Sequence, residues 1–301
     1  MNLCTRLSPV PSQDITYASN ASRTPLVVTP AALGIEADAA SLFAFFEEHR
    51  TQMREHMDAH GALLLRGFSL DGPDDFQSSL TRLGYELMDK NLGGASPRSR
   101  IKDKVFVSTA APKPFIIGFH TEFVYQQKRP GVIAFFCEEA PAIHGETPIF
   151  DCARVYSSLS EELRDKLETL GVRYQRRFYG RKSLFNFRKT WSDVFYTKDR
   201  SEVEKYFQDE GVDYRWETDG TLVTQLNVPA VITDYHTGQK LLSITMFNGE
   251  SFAYNFWHFQ ERYSLAKRYL MDWLVRRETQ PKNRFLYITL GDGTPFTRDE
   301  S

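Results

Sequence analysis

Two neighbouring stretches decide the fold: Phe115-Ile-Ile-Gly-Phe-His-Thr-Glu-Phe-Val-Tyr125 and Pro130-Gly-Val-Ile-Ala-Phe-Phe-Cys137. The first alternates loosely between polar and apolar residues, and the second is a dense run of β-branched and aromatic residues, so both predict strands. Two later segments, Leu222–Val231 and Leu241–Phe247, have the same character, and Thr237-Gly238 between them predicts a hairpin turn. The middle of the chain therefore predicts a strand-rich core.

Helical patterns surround this core. Apolar residues at helical spacing predict a helix over residues 40–60, which Gly61 closes, and Ala62-Leu-Leu-Leu65 predicts a buried strand. Three capping-box spacings and one further pattern predict four more helices. They are Asp74 with Gln77, ending before Gly84; Ser158 with Glu161, ending at Gly171; Ser201 with Glu204, ending at Gly211; and the segment Ser264–Arg277.

Three of the seven histidines have an acidic residue two positions later. The three pairs are His56-Met-Asp58, His120-Thr-Glu122 and His144-Gly-Glu146. Residues i and i+2 of a strand project from one face, so a histidine and a carboxylate at that spacing can reach one metal ion. The first pair falls on a predicted helix, where such side chains point apart, and the third straddles a predicted turn. The pair of His120 and Glu122 is therefore the best candidate.

This candidate pair has two interpretations. One histidine and one carboxylate on a strand, with a second histidine from elsewhere, form the facial triad of non-haem Fe(II) oxygenases. That triad leaves positions open for 2-oxoglutarate and dioxygen. A hydrogen-bonded His–Glu pair at the protein surface is the alternative.

The residues around the pair extend the pattern. They are His120-Thr-Glu122-x-x-Tyr125, Pro130–Cys137, Ala140-Pro-Ala-Ile-His-Gly-Glu-Thr147-Pro-Ile-Phe-Asp151, Trp216, His236-Thr-Gly238, Phe247-Asn248 and Gly291-Asp-Gly293. Together they resemble the core signature of the taurine dioxygenase (TauD/TfdA) superfamily. The branch with the closest resemblance is that of antibiotic-biosynthesis oxygenases, which includes syringomycin-type aspartyl hydroxylases. The resemblance covers residues 61 to 293, and its most specific block is 120–151.

The resemblance implies a double-stranded β-helix, or jelly roll, with flanking helices. It implies Fe(II) bound by His120 and Glu122, with the Thr147 hydroxyl near the carboxylate of 2-oxoglutarate. Related halogenases have Gly or Ala at the position of Glu122, so the carboxylate favours hydroxylation or desaturation. No catalytic residue beyond the metal ligands is assigned.

Two residues that the resembling family uses are not assignable. Its Gly-Asp-Gly stretch precedes strands with a distal histidine and an arginine that pairs with 2-oxoglutarate, whereas here no histidine follows His258 and only Arg298 follows Gly293. His236 and His258 are weak substitutes for the third ligand. We therefore expect a jelly roll without its C-terminal strands, whose open sheet edge a second copy or a partner chain covers.

Composition narrows the class of partner. The net charge of -2 and the pI of about 6.4 give no electrostatic footprint for nucleic acid or an anionic membrane. No apolar run approaches the roughly 18 residues of a membrane span. Cys4, Cys137 and Cys152 form no metal or disulfide pattern, which favours a reducing cytoplasm.

The sequence thus predicts a mixed α/β fold with a mainly β core. Residues 1–30 are expected to form an N-terminal arm, and residues 31–301 an incomplete oxygenase jelly roll. The expected activity is hydroxylation or desaturation of an amino-acid-like substrate, free or bound to a carrier protein, in secondary-metabolite biosynthesis. Its cofactors are Fe(II), 2-oxoglutarate and O2. The alternative is a non-catalytic homologue or fragment that keeps the fold for binding or scaffolding.

Overall fold

The computed structural model describes residues 24–88, 99–109, 117–142, 145–181, 190–235, 237–245, 264–278 and 285–297. Its helices are α1 (Pro30–Leu33), α2 (Ala39–Glu48), α3 (Arg50–His60), α4 (Pro73–Arg82), α5 (Cys152–Ser158), α6 (Glu161–Leu170), α7 (Trp191–Phe195), α8 (Arg200–Asp209) and α9 (Leu265–Glu278). Its strands are β1 (Leu26–Val28), β2 (Leu63–Leu65), β3 (Arg100–Lys102), β4 (Val105–Phe106), β5 (Val172–Phe178), β6 (Asp213–Trp216), β7 (Leu222–Val228), β8 (Val231–Thr233), β9 (Lys240–Leu242) and β10 (Leu286–Leu290). Predictions on His144, His236 and His258 lie outside the described residues.

An antiparallel sheet in the order β10-β5-β7-β6 is the centre of the fold. Strand β5 alternates strictly between buried and half-buried residues, so one face packs into the core. Its register with β7 runs from the Val172–Val228 pair to the Phe178–Leu222 pair. Leu167 of α6 packs into the cluster on this sheet.

A smaller N-terminal unit packs around the parallel pair β1–β2. All three residues of β1 are buried, and Leu26 and Val28 lie in a cluster with residues of α2 and α3. Leu26–Val28, which the sequence analysis placed in the N-terminal arm, therefore form part of a packed core. Strand β2 was predicted as buried, but it is only half-buried and Leu65 is exposed.

The predicted helices are confirmed, but several of their boundaries were wrong. The helix expected over 40–60 is divided at His49, where φ is -110° and ψ is 22°. The capping boxes failed because nearer side chains cap the helices: Ser160 accepts from Leu163 N, and Asp199 accepts from Ser201 N. Helix α4 begins after Gly72 without a side-chain cap.

The predicted hairpin is also present. Strands β8 and β9 pair antiparallel, and Gly238, with φ 69°, donates its N–H to the Asp234 carbonyl over 2.8 Å. The strand predicted over 222–231 ends at Val228 because Pro229, which has no N–H to donate, follows it.

The strand predicted over residues 131–137 is wrong. These residues have no regular secondary structure and are mostly exposed, with Phe135 54% exposed. A strand needs a neighbour to satisfy its backbone, and no described segment pairs with this one.

The mixed α/β class is confirmed. The described strands form one four-stranded sheet and three two-stranded sheets, so the jelly roll remains an expectation from the resemblance. Within the described ranges, no helix has both the length and the apolar character needed to cross a membrane.

Gly171, at the end of α6, links the helix to the sheet and generates a testable prediction. Its φ of 64° and ψ of -157° suit glycine alone, and a Cβ there would lie 2.6 Å from the Val228 carbonyl oxygen. Gly171→Ala should therefore lower the free energy of unfolding by about 3 kcal/mol or more. Gly211→Ala is the matched control, because Gly211 has φ 63° and nothing within 4 Å, and should cost about 1 kcal/mol.

Urea denaturation of the two variants measures this difference. Equal losses of stability would show that the approach of Gly171 to β7 does not constrain the fold.

Candidate metal centre

The segment that carries the candidate pair changes direction directly after it. Residues 117–120 are exposed and have no regular secondary structure, and a turn follows in which Gln126 N donates to the Phe123 carbonyl over 3.0 Å. Phe123 has φ 56°, a left-handed conformation that aromatic residues rarely adopt. Phe123, Val124 and Tyr125 are buried, so the turn brings the chain into the core. The strand predicted over 115–125 is therefore wrong in its described part, because the left-handed residue reverses the chain.

His120 and Glu122 nevertheless point at each other. His120 Nε2 lies 3.3 Å from Glu122 Oε2, and the two side chains are 36% and 18% exposed. The other ring nitrogen, Nδ1, lies 2.8 Å from the Gly118 carbonyl oxygen. A carbonyl only accepts hydrogen bonds, so Nδ1 carries a proton, and Nε2 is the nitrogen that faces the carboxylate.

This geometry fits a metal ion. Adjacent ligands of an octahedral ion with bonds of about 2.1 Å lie about 3 Å apart, close to the observed separation of Nε2 and Oε2. A ligating histidine commonly donates its other N–H to a backbone carbonyl, as Nδ1 does here. Neutral imidazole with one carboxylate is a donor set that suits Fe(II). An ion pair with a doubly protonated imidazole would have the same shape.

Thr121, between the two candidate ligands, forms two hydrogen bonds with a residue that is distant in the sequence. Its backbone N–H donates to Thr245 Oγ1 over 3.0 Å, and Thr245 Oγ1 donates to the Thr121 carbonyl over 2.7 Å. Thr245 N in turn donates to the hydroxyl of Tyr174, on β5, over 2.9 Å. Thr245 and Tyr174 are both buried. The candidate pair is thus joined to the central sheet by hydrogen bonds.

A second link joins the same parts of the chain. Arg129 Nη1 donates to Ser243 Oγ over 2.8 Å, and Ser243 N donates to the Ala230 carbonyl over 2.8 Å. Burial lowers the pKa of Arg129, and the nearby Tyr174 hydroxyl opposes that shift. The segment that follows β9 is therefore fixed to the turn region at two points.

Cys152 approaches Thr121 from helix α5. Burial, reinforced by the charge of Asp151, raises the pKa of the Cys152 thiol, while a hydrogen bond with the Thr121 side chain opposes the shift. Cys137 is exposed, and neither of these two cysteines forms a disulfide.

Thr147, the third predicted site residue, is not brought into this network. It is exposed in residues 145–150, which lack regular secondary structure, and no hydrogen bond among the described residues involves it. Within the described part of the chain, no group of three or more His, Cys, Asp or Glu side chains could hold a metal ion. The third ligand therefore has no described candidate.

Thr245, Tyr174 and Arg129 were not predicted from the sequence. A signal existed for one of them, because Ser243 and Thr245 are polar at alternate positions of a segment predicted as an apolar strand. Both residues are buried in the structure.

Comparisons with known proteins identify the family of the chain. The model of the taurine catabolism dioxygenase TauD, TfdA family matches residues 23–285, and the chain belongs to that family. It is 28% identical over 284 residues to a clavaminate synthase-like protein of Arabidopsis thaliana, covering 91% of this chain and 78% of that protein. It is 34% identical over 185 residues to a dapdiamide synthesis protein of Enterobacter agglomerans, covering 62% of this chain and 54% of that protein. The resemblance stated from the sequence is confirmed.

The environment of Cys152 predicts its reactivity. Because burial raises the pKa of this thiol, its reactive thiolate is scarce near neutral pH, whereas Cys137 is exposed. Iodoacetamide at pH 8 should modify Cys152 more slowly than Cys137 by about tenfold or more. Peptide mass spectrometry over time measures both rates. Equal rates would contradict the packing of Cys152 against Thr121.

Proposed function

We propose that this chain is an Fe(II)- and 2-oxoglutarate-dependent oxygenase that hydroxylates or desaturates an amino-acid-like substrate, free or bound to a carrier protein. The observation that carries the proposal is the 3.3 Å approach of His120 Nε2 to Glu122 Oε2. Membership of the TauD, TfdA family supports it. The relatives named for clavaminate synthase and dapdiamide synthesis support a role in secondary-metabolite biosynthesis.

In this proposal His120 and Glu122 hold the iron. When bound, Fe(II) supplies the oxidation of a C–H bond by O2, coupled to decarboxylation of 2-oxoglutarate to succinate. The hydrogen bond from Nδ1 to Gly118 keeps Nε2 available and fixes the ring plane. Glu122 contributes a negative charge to the cation and is mostly shielded from solvent.

Thr147 is the proposed residue for the cosubstrate. Its hydroxyl would donate to a carboxylate oxygen of 2-oxoglutarate, which is the role implied by the family resemblance. Its exposure in the structure leaves the hydroxyl accessible to a small molecule.

The proposed site also needs groups other than His120, Glu122 and Thr147. A third iron ligand and a guanidinium for 2-oxoglutarate would come from outside the described residues. The proposal also includes a cytoplasmic location and a second copy or partner chain that covers open sheet edge. Nucleic acid and membranes are not proposed as partners.

The first test of this function is iron binding. His120→Ala and Glu122→Ala should each abolish measurable Fe(II) binding, because each removes one of the few protein donors. Anaerobic calorimetry on the full chain measures the affinity. His56→Ala is the matched control, since His56 also has an acidic residue two positions later but lies on α3, and it should bind iron as the unchanged protein does.

Unchanged iron affinity in both site variants would contradict the ligand assignment. It would favour the alternative of a non-catalytic protein in which His120 and Glu122 form an ion pair.

Thr147→Val tests the cosubstrate role. The substitution removes a hydroxyl at nearly constant volume, and a charge-assisted hydrogen bond is worth about 1.5–3 kcal/mol, or roughly a tenfold to hundredfold change in affinity. We expect 2-oxoglutarate to bind more weakly by that factor, with Fe(II) binding unaffected. Equal 2-oxoglutarate affinity in both proteins would remove Thr147 from the site.

A further inference from the structure

We infer that Thr245, held in place by Tyr174, is the positioning residue that sets the separation of His120 and Glu122 for metal binding. This inference rests on the proposed function, because it concerns the same metal site. Neither residue ligates the metal or touches the reacting atoms in this assignment. They act on the backbone of Thr121, the residue between the two ligands.

The inference begins with the backbone of Thr121. In an antiparallel strand, the backbone of an opposite residue would satisfy its N–H and its carbonyl. Here the single hydroxyl of Thr245 does both, accepting from the N–H over 3.0 Å and donating to the carbonyl over 2.7 Å. A hydroxyl both donates and accepts through one oxygen atom, which suits threonine or serine at this position.

The second step is the connection from Thr245 to the core. Its N–H donates to the Tyr174 hydroxyl over 2.9 Å, in a buried hydrogen bond. Tyr174 is 1% exposed and lies in the middle of β5, the strand that pairs with both β7 and β10. A path of hydrogen bonds therefore runs from a central strand of the sheet, through Thr245, to the peptide between the candidate ligands.

The third step concerns the ligand segment itself, which no strand pairing among the described residues fixes. Residues 117–120 have no regular secondary structure and are exposed. After Glu122, the buried aromatic residues Phe123 and Tyr125 anchor the turn, and the Tyr125 ring packs edge-on against Tyr174. Thr245 thus holds the peptide between His120 and Glu122, and the turn holds the chain that follows Glu122. Loss of the Thr245 hydroxyl would release the peptide between the two ligands and let the two donors separate.

The experiment compares variants of the full chain. Thr245→Val removes both hydrogen bonds to Thr121 while keeping the shape of the side chain, and Thr245→Ser keeps the hydroxyl. Thr289→Val is the matched control, because Thr289 is equally buried but its hydroxyl donates to the Leu290 carbonyl on β10. Anaerobic titration with Co(II), followed by its visible absorption, measures metal affinity in each. Hydrogen exchange of the Thr121 amide is measured in the metal-free proteins.

We expect Thr245→Val to weaken Co(II) binding by about tenfold to a hundredfold and to speed exchange of the Thr121 amide. Thr245→Ser should restore both values, and Thr289→Val should change neither. Tyr174→Phe should also weaken Co(II) binding, because it removes the hydroxyl that accepts from Thr245 N. A loss of global stability alone would affect both threonine-to-valine variants, so the difference between them isolates positioning.

Glu122→Ala, titrated with Co(II) alongside, separates this inference from the proposed function. If Glu122→Ala loses Co(II) while Thr245→Val binds it as tightly as the unchanged protein, the positioning role is overturned and the metal site stands. If Glu122→Ala itself retains full affinity, the metal site and the positioning role are both overturned. Unchanged exchange of the Thr121 amide in Thr245→Val would overturn the hydrogen-bonded link itself.

Discussion

The hydroxyl of Tyr174 joins the central sheet to the candidate metal site. Burial raises the pKa of this phenol well above its ordinary value, so it stays neutral and serves as a fixed hydrogen-bonding group. It accepts from the backbone of Thr245, whose own hydroxyl holds Thr121. The distance between His120 and Glu122 therefore depends on a strand whose pairing and burial are independent of any metal ion.

This arrangement differs from the one that the family resemblance implies. In a jelly roll the ligands lie on a strand, and the hydrogen bonds of the sheet fix their spacing. Here a turn and the hydroxyl of Thr245 fix the spacing. The neighbouring segments also expose apolar side chains, including Ile133, Phe135 and Ile149. Exposed apolar surface of this kind is typical of regions that another part of a chain or a partner covers.

The sequence predicted local features better than long-range ones. Gly171 predicted the end of α6, and Thr237-Gly238 predicted the β8–β9 turn, because short-range patterns determine both. The predicted capping residues lie two positions from the observed N-cap positions, since Ser, Asp and Glu near a helix start all fit a box. The His120–Glu122 pair was predicted from its spacing, although the two residues were expected to lie on a strand.

The link from Thr121 to Thr245 spans 124 positions, and no local pattern predicts which hydroxyl meets which peptide. The wrong prediction of a strand over 131–137 has the same cause. A strand forms only beside a neighbouring strand, and local composition does not identify that neighbour. Long-range pairing therefore accounts for what the sequence left unpredicted in both the fold and the site.

A crystal structure of the chain grown anaerobically with Co(II), with the metal located by anomalous scattering, tests the central claim most directly. The result we expect is a single strong peak within about 2.2 Å of both His120 Nε2 and a Glu122 carboxylate oxygen. The Nδ1 contact with Gly118 and the Thr121–Thr245 hydrogen bonds should be retained. A structure in which cobalt lies elsewhere while His120 and Glu122 remain in direct contact would contradict it.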